Sequence, residues 1–199
     1  MPRSNYSSPS IDNALLGFLI PKPMHGYELH QVIQQTPGLY RVWTLKQALL
    51  YAKLDKLEKA GFIHATTEPS PTSSPPRKYL HITKAGAATF HDWVNQPVLK
   101  SRFMRQEFLV KLILVRQLQP DHLPEVLSKQ IEVTEQWVSN LERDLNQLQS
   151  TDTVEDRLVS SFRLLQDRAV LDWLHEVVAI LSRNSANPDA FNQITPPHS

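Results

Sequence analysis

The spacing of apolar residues predicts three short helices in the first third of the chain. Ser8 followed by Pro9 is the pattern of an N-cap with a first-turn proline, and this helix is expected to end at Ile20. A second helix is predicted from Met24 to Gln35. The third is expected to open at Thr44-Leu45-Lys46-Gln47, which has the form of a capping box. Its predicted inner stripe is Leu50, Leu54 and Leu57, and Gly61 is its predicted stop.

Two short strands are predicted after these helices. Phe62 to Thr66 and Arg77 to Thr83 have β-type patterns, and a fourth helix is expected to end near Asn95. Between the strands, Glu68 to Pro76 holds four prolines in nine residues, which excludes regular structure there. Three helices followed by two strands around a long loop predict a winged helix-turn-helix. In that fold the third helix is the recognition helix and the loop is the wing.

The second half of the chain has the pattern of a largely helical region. An amphipathic helix is predicted from Arg102 to Gln117, and a last one from about Val154 to Arg183. Between them, apolar residues keep a 4-3 spacing over three heptads, with one polar break at Thr134, which is typical of a helix–helix seam. We expect dimerisation through this region, and the predicted contact residues are Leu127, Ile131, Val138, Leu141, Leu145, Leu148, Phe162, Leu165 and Trp173.

The expected fold is therefore mainly α with a small two-stranded β wing. Residues 1–97 are predicted to form the winged helix-turn-helix domain. Residues 98–184 are predicted to form an α-helical dimerisation domain, antiparallel or coiled-coil-like, and residues 185–199 a disordered tail.

Composition narrows the classes of function. The chain has no cysteine, which excludes disulfides, thiolate metal sites and cysteine nucleophiles. His25 and His30 lie about 140° apart on a helix, so they cannot share a metal ion. We expect no catalytic site, no metal and no cofactor. The most apolar stretch, Phe108 to Val115, is too short to span a membrane and contains Lys111, so we expect a cytoplasmic protein without a membrane partner.

Charge and surface pattern favour double-stranded DNA as the partner. The net charge of +1 divides into +4 for residues 1–99 (ten Lys/Arg, six Asp/Glu) and −3 for residues 100–199 (eleven and fourteen). On the recognition helix Lys46, Leu49, Tyr51 and Lys53 are the predicted contacts, together with Arg77 and Lys78 at the wing. The simpler alternative is a solvated helix face and a solvated strand start. Trp43, Trp93, Trp137 and Trp173 either line an effector pocket or serve as ordinary packing anchors.

Several motifs resemble the PadR family of bacterial transcriptional regulators, in the branch with a long C-terminal helical domain. They are Leu15-Leu16-Gly17-Phe18-Leu19, Met24-His25-Gly26-Tyr27-Glu28-Leu29, Leu57-Glu58-Lys59-Ala60-Gly61-Phe62-Ile63, Arg77-Lys78-Tyr79 and Ala169-Val170-Leu171-Asp172-Trp173-Leu174. The resemblance implies a homodimer on a pseudo-palindromic operator, usually a repressor, sometimes with a small-molecule effector.

This sequence departs from the family pattern at two places where DNA would be touched. Ala48-Leu49 stands before the Leu-Tyr pair, and serine and proline replace the glycine often found in the wing. The expected function is therefore a sequence-specific DNA-binding regulator. The alternative is a winged-helix interaction module that uses its apolar recognition face to bind protein.

Overall fold

The computed structural model describes residues 9–68, 77–147 and 153–184. The chain divides into two compact units. The first, here called the head, comprises Met1–Gln96 with Arg102–Leu123, and the second, the arm, comprises Pro97–Ser101 with Pro124–Ser199. This grouping differs from the predicted boundary at residue 97, because the segment after Ser101 returns to the head.

The head begins with helices close to those that the sequence predicts. Its α-helices are α1 (Pro9–Leu19), α2 (Gly26–Gln35), α3 (Gln47–Lys59), α4 (Lys84–Asn95) and α5 (Leu109–Leu118). Gly61 ends α3 as expected, with a φ of 76° that favours glycine. The capping box expected at Thr44 is wrong, since α3 starts at Gln47 and its N-cap, Lys46, makes no side-chain capping bond.

The predicted two-stranded wing is a three-stranded antiparallel sheet in the order β1-β3-β2. The strands are β1 (Met24–His25), β2 (Ile63–Glu68) and β3 (Arg77–Ile82). Met24 and Ala65 both lie opposite Leu80, so β3 occupies the centre. The extra strand takes the first two residues of the helix that was expected to start at Met24, and this sequence is too short to show a strand period.

A hydrophobic core joins these elements. Leu15 and Leu16 of α1 and Leu50 of α3 are fully buried, as is Phe90 of α4. Thr83 caps α4 by accepting a hydrogen bond from the Gly86 amide. A side chain at Gly86 would overlap the carbonyl oxygen of Phe62, so glycine is required for this close approach.

The predicted helix from Arg102 to Gln117 is interrupted. A 3-10 turn (Ser101–Phe103) and a π-helical turn (Met104–Phe108) precede α5, and a further 3-10 turn (Pro120–His122) follows it. Lys111 of α5 is 1% exposed; its ammonium donates to the Gln96 carbonyl at 2.8 Å and lies 3.2 Å from the Glu107 carboxylate. Burial lowers the pKa of Lys111, and the Glu107 charge opposes that shift. Trp93 lies under the same ammonium and donates its indole N–H to Glu107 at 3.1 Å.

The arm contains the two longest helices, α6 (Leu123–Gln147) and α7 (Val154–Asn184). Val138 and Leu141 of α6 form a buried cluster with Leu164 of α7, and Leu145 and Leu171 pack against it. The short segment 97–101 is tied to these helices. The buried Gln130 amide both accepts from the Val98 N–H at 2.7 Å and donates to its carbonyl at 3.1 Å.

Part of the 4-3 seam packs within one chain in this cluster. Leu127, Val138 and Leu141 are already buried within one chain, and Ile131 and Leu145 are half-buried, because α6 uses the stripe to pack inside its own chain. Leu148 and the predicted tail at residues 185–199 lie outside the described residues. Nowhere in residues 9–68, 77–147 and 153–184 is a helix both long and apolar enough to cross a membrane.

Apart from Leu99, which is 72% exposed in the segment 97–101, the large apolar residues that are exposed in the described part of the arm lie on α7. Phe162 and Leu165 are 64% and 65% exposed, whereas Trp173 is half-buried. The surface called here the α7 stripe consists of Val154, Leu158, Val159, Phe162 and Leu165.

Candidate nucleic-acid interface

The recognition helix presents three of its four predicted contact residues to solvent. Lys46 is exposed at the N-cap of α3. Leu49 and Tyr51 are 44% and 42% exposed, which is high for an apolar and an aromatic side chain beside a well-formed core. An ammonium, an aliphatic group and a phenol therefore lie at the N-terminal end of α3, where winged helices meet the major groove.

Lys53, the fourth predicted contact, does not face outward. Its side chain is 9% exposed and its ammonium lies 2.8 Å from Asp12 Oδ1 on α1. Lys53 is three residues after Leu50, so the two share the buried face of α3, and the Asp12 charge compensates the buried ammonium. The prediction that Lys53 is available to DNA is wrong for this reason. Lys56, which is exposed, donates to Asp12 Oδ2 at 2.8 Å.

The wing strand carries Lys78 toward the same helix. The Lys78 side chain is 54% exposed, and its ammonium donates to Glu58 Oε2 in the last turn of α3 at 2.7 Å. A ring nitrogen of His25 lies 3.1 Å from the Lys78 carbonyl, which ties β1 to β3 at this point. Arg77 begins β3, but its side chain and the wing residues 69–76 lie outside the described residues.

A shallow groove of about 230 Å³ joins the recognition helix to the wing strand. Tyr51 lines one part of it and Lys78 another, and Gly26 lies at the start of α2 between them. A Cβ at Gly26 would lie 2.7 Å from the Tyr51 ring, so the absence of a side chain there leaves room for the tyrosine. The groove therefore brings together Tyr51 and Lys78, which are 27 positions apart in the sequence.

Sequence reasoning missed three further residues at this surface. Tyr27 is 58% exposed and lines the groove, as do Asp55 and Glu58. Near the start of the same helix as Tyr27, Lys22 donates to Glu28 at 2.6 Å, and this hydrogen bond lowers the pKa of Glu28. The exposure of Tyr27 depends on where α2 begins. The sequence analysis placed that start at Met24, two residues before the observed start at Gly26, and so did not identify Tyr27.

Comparison with known protein families finds a match over most of the winged-helix region. The model of the transcriptional regulator PadR-like family matches residues 15–92. An uncharacterized protein of Lysinibacillus sphaericus is 30% identical over 96 residues, which are 48% of this chain and 85% of that protein. The chain belongs to the PadR-like family. As a member of this family of transcriptional regulators, it is a transcriptional regulator.

A second family model, virulence activator alpha C-term, matches residues 104–182. Among solved PadR structures, Bacillus subtilis PadR in complex with operator DNA is 22% identical, with 85% of this chain and 97% of that chain covered and a TM-score of 0.43. Bacillus subtilis PadR in complex with p-coumaric acid is 20% identical, with coverages of 87% and 99% and a TM-score of 0.38. A PadR-like regulator from Bacillus cereus is 18% identical, with coverages of 89% and 98% and a TM-score of 0.41.

Proposed function

We propose that this PadR-like regulator binds a pseudo-palindromic operator as a homodimer and represses transcription. The observation that carries the proposal is the shared groove, which Tyr51 of the recognition helix and Lys78 of the wing strand both line, on the helix that also carries the exposed Lys46 and Leu49 at its N-terminal end. In this proposal Lys78 and Arg77 hold phosphates and the N-terminal turn of α3 enters the major groove.

The phosphate contacts are tested by the salt dependence of binding. Lys78→Ala should weaken binding to operator and random duplex alike and reduce the salt slope by about one for each phosphate that the variant no longer binds. Fluorescence anisotropy over a salt series measures both quantities. Lys129→Ala in the arm is the matched control, because Lys129 also pairs with a glutamate at 2.7 Å. Equal affinities for Lys78→Ala and wild type at every salt would remove Lys78 from the interface.

Base reading is proposed for Leu49, whose exposed aliphatic group is suited to a thymine methyl. Leu49→Ala should cost on the order of 1 kcal/mol at one operator position. Replacing that thymine with uracil should remove the preference of the wild type and leave the mutant indifferent. The exposed Leu49 also supports the alternative function, a protein-interaction module. Duplex binding without salt dependence would favour the protein-interaction module, because an apolar contact releases no counterions from DNA.

The homodimer is proposed to form through the α7 stripe, and not through the seam that the 4-3 spacing favoured. The seam residues Val138 and Leu141 are buried by packing within the chain, whereas the α7 stripe leaves five large apolar residues about 60% or more exposed. A contiguous exposed apolar surface is typical of a protein interface. In a two-fold dimer the same stripe from both protomers forms the contact.

A small-molecule effector is proposed to bind a cleft of about 210 Å³ at the N-terminal end of the recognition helix. Its lining is mostly apolar and includes Trp43, Leu49 and the Gln106 side of the π-helical turn. An occupant there would touch Leu49 directly and so affect DNA binding. Quenching of Trp43 fluorescence by small aromatic acids, absent in Trp43→Phe, tests the site. A response that survives in Trp43→Phe would place the effector elsewhere.

A further inference from the structure

Glu58 places a carboxylate beside the lysine that is proposed to hold a phosphate. It lies in the last turn of α3, where its side chain is 33% exposed and 2.7 Å from the Lys78 ammonium. Asp55, one turn earlier on α3, lines the same groove. The recognition helix thus presents cationic and aromatic groups at its N-terminal end and two carboxylates at the groove beside the wing strand.

A phosphate that approaches Lys78 meets this carboxylate. The phosphate and the Glu58 carboxylate are both anions that can bind the Lys78 ammonium, and like charges a few ångströms apart repel each other. Because Glu58 and Lys78 are both partly exposed, their ion pair is weak enough for DNA to replace. Binding through Lys78 therefore requires that the Glu58–Lys78 pair open or that two anions share one cation.

We propose that Glu58 is a built-in competitor of the DNA phosphate for Lys78, and that it lowers the affinity of the protein for any duplex. The proposal rests on the proposed function, since it requires DNA at this groove. Its effect is general and not sequence-specific, because the phosphates that it competes with are present in every duplex. Glu58 is thus a positioning residue that acts through Lys78.

The test is Glu58→Gln in the full chain, with anisotropy of a labelled random-sequence duplex over a salt series. We expect Glu58→Gln to bind about fivefold more tightly than wild type at low salt, the factor that the stronger exposed ion pairs give. The gain should shrink toward unity as salt rises, because the screening length falls from about 10 Å at 0.1 M to about 3 Å at 1 M. A purely structural role of Glu58 would not produce this salt dependence.

Glu142→Gln is the matched control. Glu142 pairs with Arg168 in the arm at the same 2.7 Å and is also partly exposed, so its change alters the net charge equally without changing a residue that lines the groove. Its affinity should equal that of wild type. In a Lys78→Ala background, Glu58→Gln should gain clearly less than it does alone, and an equal gain would overturn the competition for Lys78.

The remaining outcomes separate the two proposals. If the wild type binds the duplex and Glu58→Gln binds it equally or more weakly, the role of Glu58 is overturned and the proposed function is not, provided that both proteins melt at the same temperature. If Glu58→Gln melts lower, Glu58→Asp replaces it, since the shorter side chain keeps the charge but loosens its hold on Lys78. Glu58→Asp must then bind more tightly than wild type for the proposal to stand. A wild-type protein that binds no duplex at any salt overturns the proposed function as well.

Discussion

Phe162→Ala is the change that tests the α7 stripe most directly. Full burial of a phenylalanine or leucine side chain contributes about 1.5–3 kcal/mol. Since 64% of Phe162 is exposed in the single chain, burying it in a dimer should contribute about 1–2 kcal/mol per protomer. A two-fold interface contains the residue twice, so the change should weaken dimerisation by about 2–4 kcal/mol. At about 1.4 kcal/mol per decade, the dimer dissociation constant should rise about 30- to 700-fold.

Sedimentation equilibrium over a range of protein concentrations measures this constant. Arg163→Gln is the control, because it changes an exposed polar side chain about 100° around the same helix from Phe162 and should leave the constant unchanged. Any truncation that separates the head should keep residues 1–123 together, since 102–123 belongs to the head. If Phe162→Ala dimerises as the wild type does, the α7 stripe is not the interface.

Leu141→Ala distinguishes the two assignments of the seam. Leu141 is 5% exposed within a cluster of one chain, so its truncation should create a cavity and cost about 2–5 kcal/mol of folding free energy. Its main effect should appear in thermal unfolding of the isolated chain. If Leu141→Ala instead separated protomers that stayed fully stable, the 4-3 seam would be the dimer contact.

Other substitutions test the head. Asp12→Asn leaves the buried Lys53 ammonium without its charge partner and should cost about 3 kcal/mol, a fall in Tm of roughly 6–12 °C by circular dichroism; an unchanged Tm would mean that the pair is dispensable. Gly86→Ala should be among the most destabilising changes, because the added methyl overlaps a backbone carbonyl that cannot move freely, and denaturant unfolding measures it. Lys111→Met should change how the free energy of unfolding depends on pH. Burial lowers the pKa of Lys111, so the unfolded chain binds this proton more readily, and wild-type stability relative to Lys111→Met should rise as pH climbs from the folded pKa to the ordinary lysine value. A flat difference over the alkaline range would contradict that cause.

The sequence predicted most helices because their apolar residues recur at a helical period. It could not predict β1, since two residues show no alternation. The π-helical turn before α5 was also missed, because Met104 to Phe108 has the composition of an ordinary helix. Such features depend on contacts with residues distant in the sequence. In the π-helical turn, for example, the Gln106 carbonyl accepts a hydrogen bond from the indole N–H of Trp43.

The site was predictable only in part. Exposure of Lys46 and Leu49 follows from their positions on the helix, whereas Lys53 was placed on the outward face although the helical period puts it only about 60° from Leu50. The 4-3 spacing correctly located a seam, but periodicity does not say whether the partner helix comes from the same chain. Glu58 escaped notice because its significance comes from Lys78, twenty positions later.

The division of the chain has a consequence for synthesis on the ribosome. The head needs residues 102–123, which emerge only after a five-residue stretch, 97–101, that belongs to the arm. At about 5–20 residues per second, the nascent winged helix waits roughly 1–5 s after residue 96 before its last helix is made. In the first part of that interval Gln96 and Trp93 lack Lys111, and Trp43 lacks Gln106. The head is thus a discontinuous folding unit whose two indoles remain open to chaperones or to other nascent chains until α5 arrives.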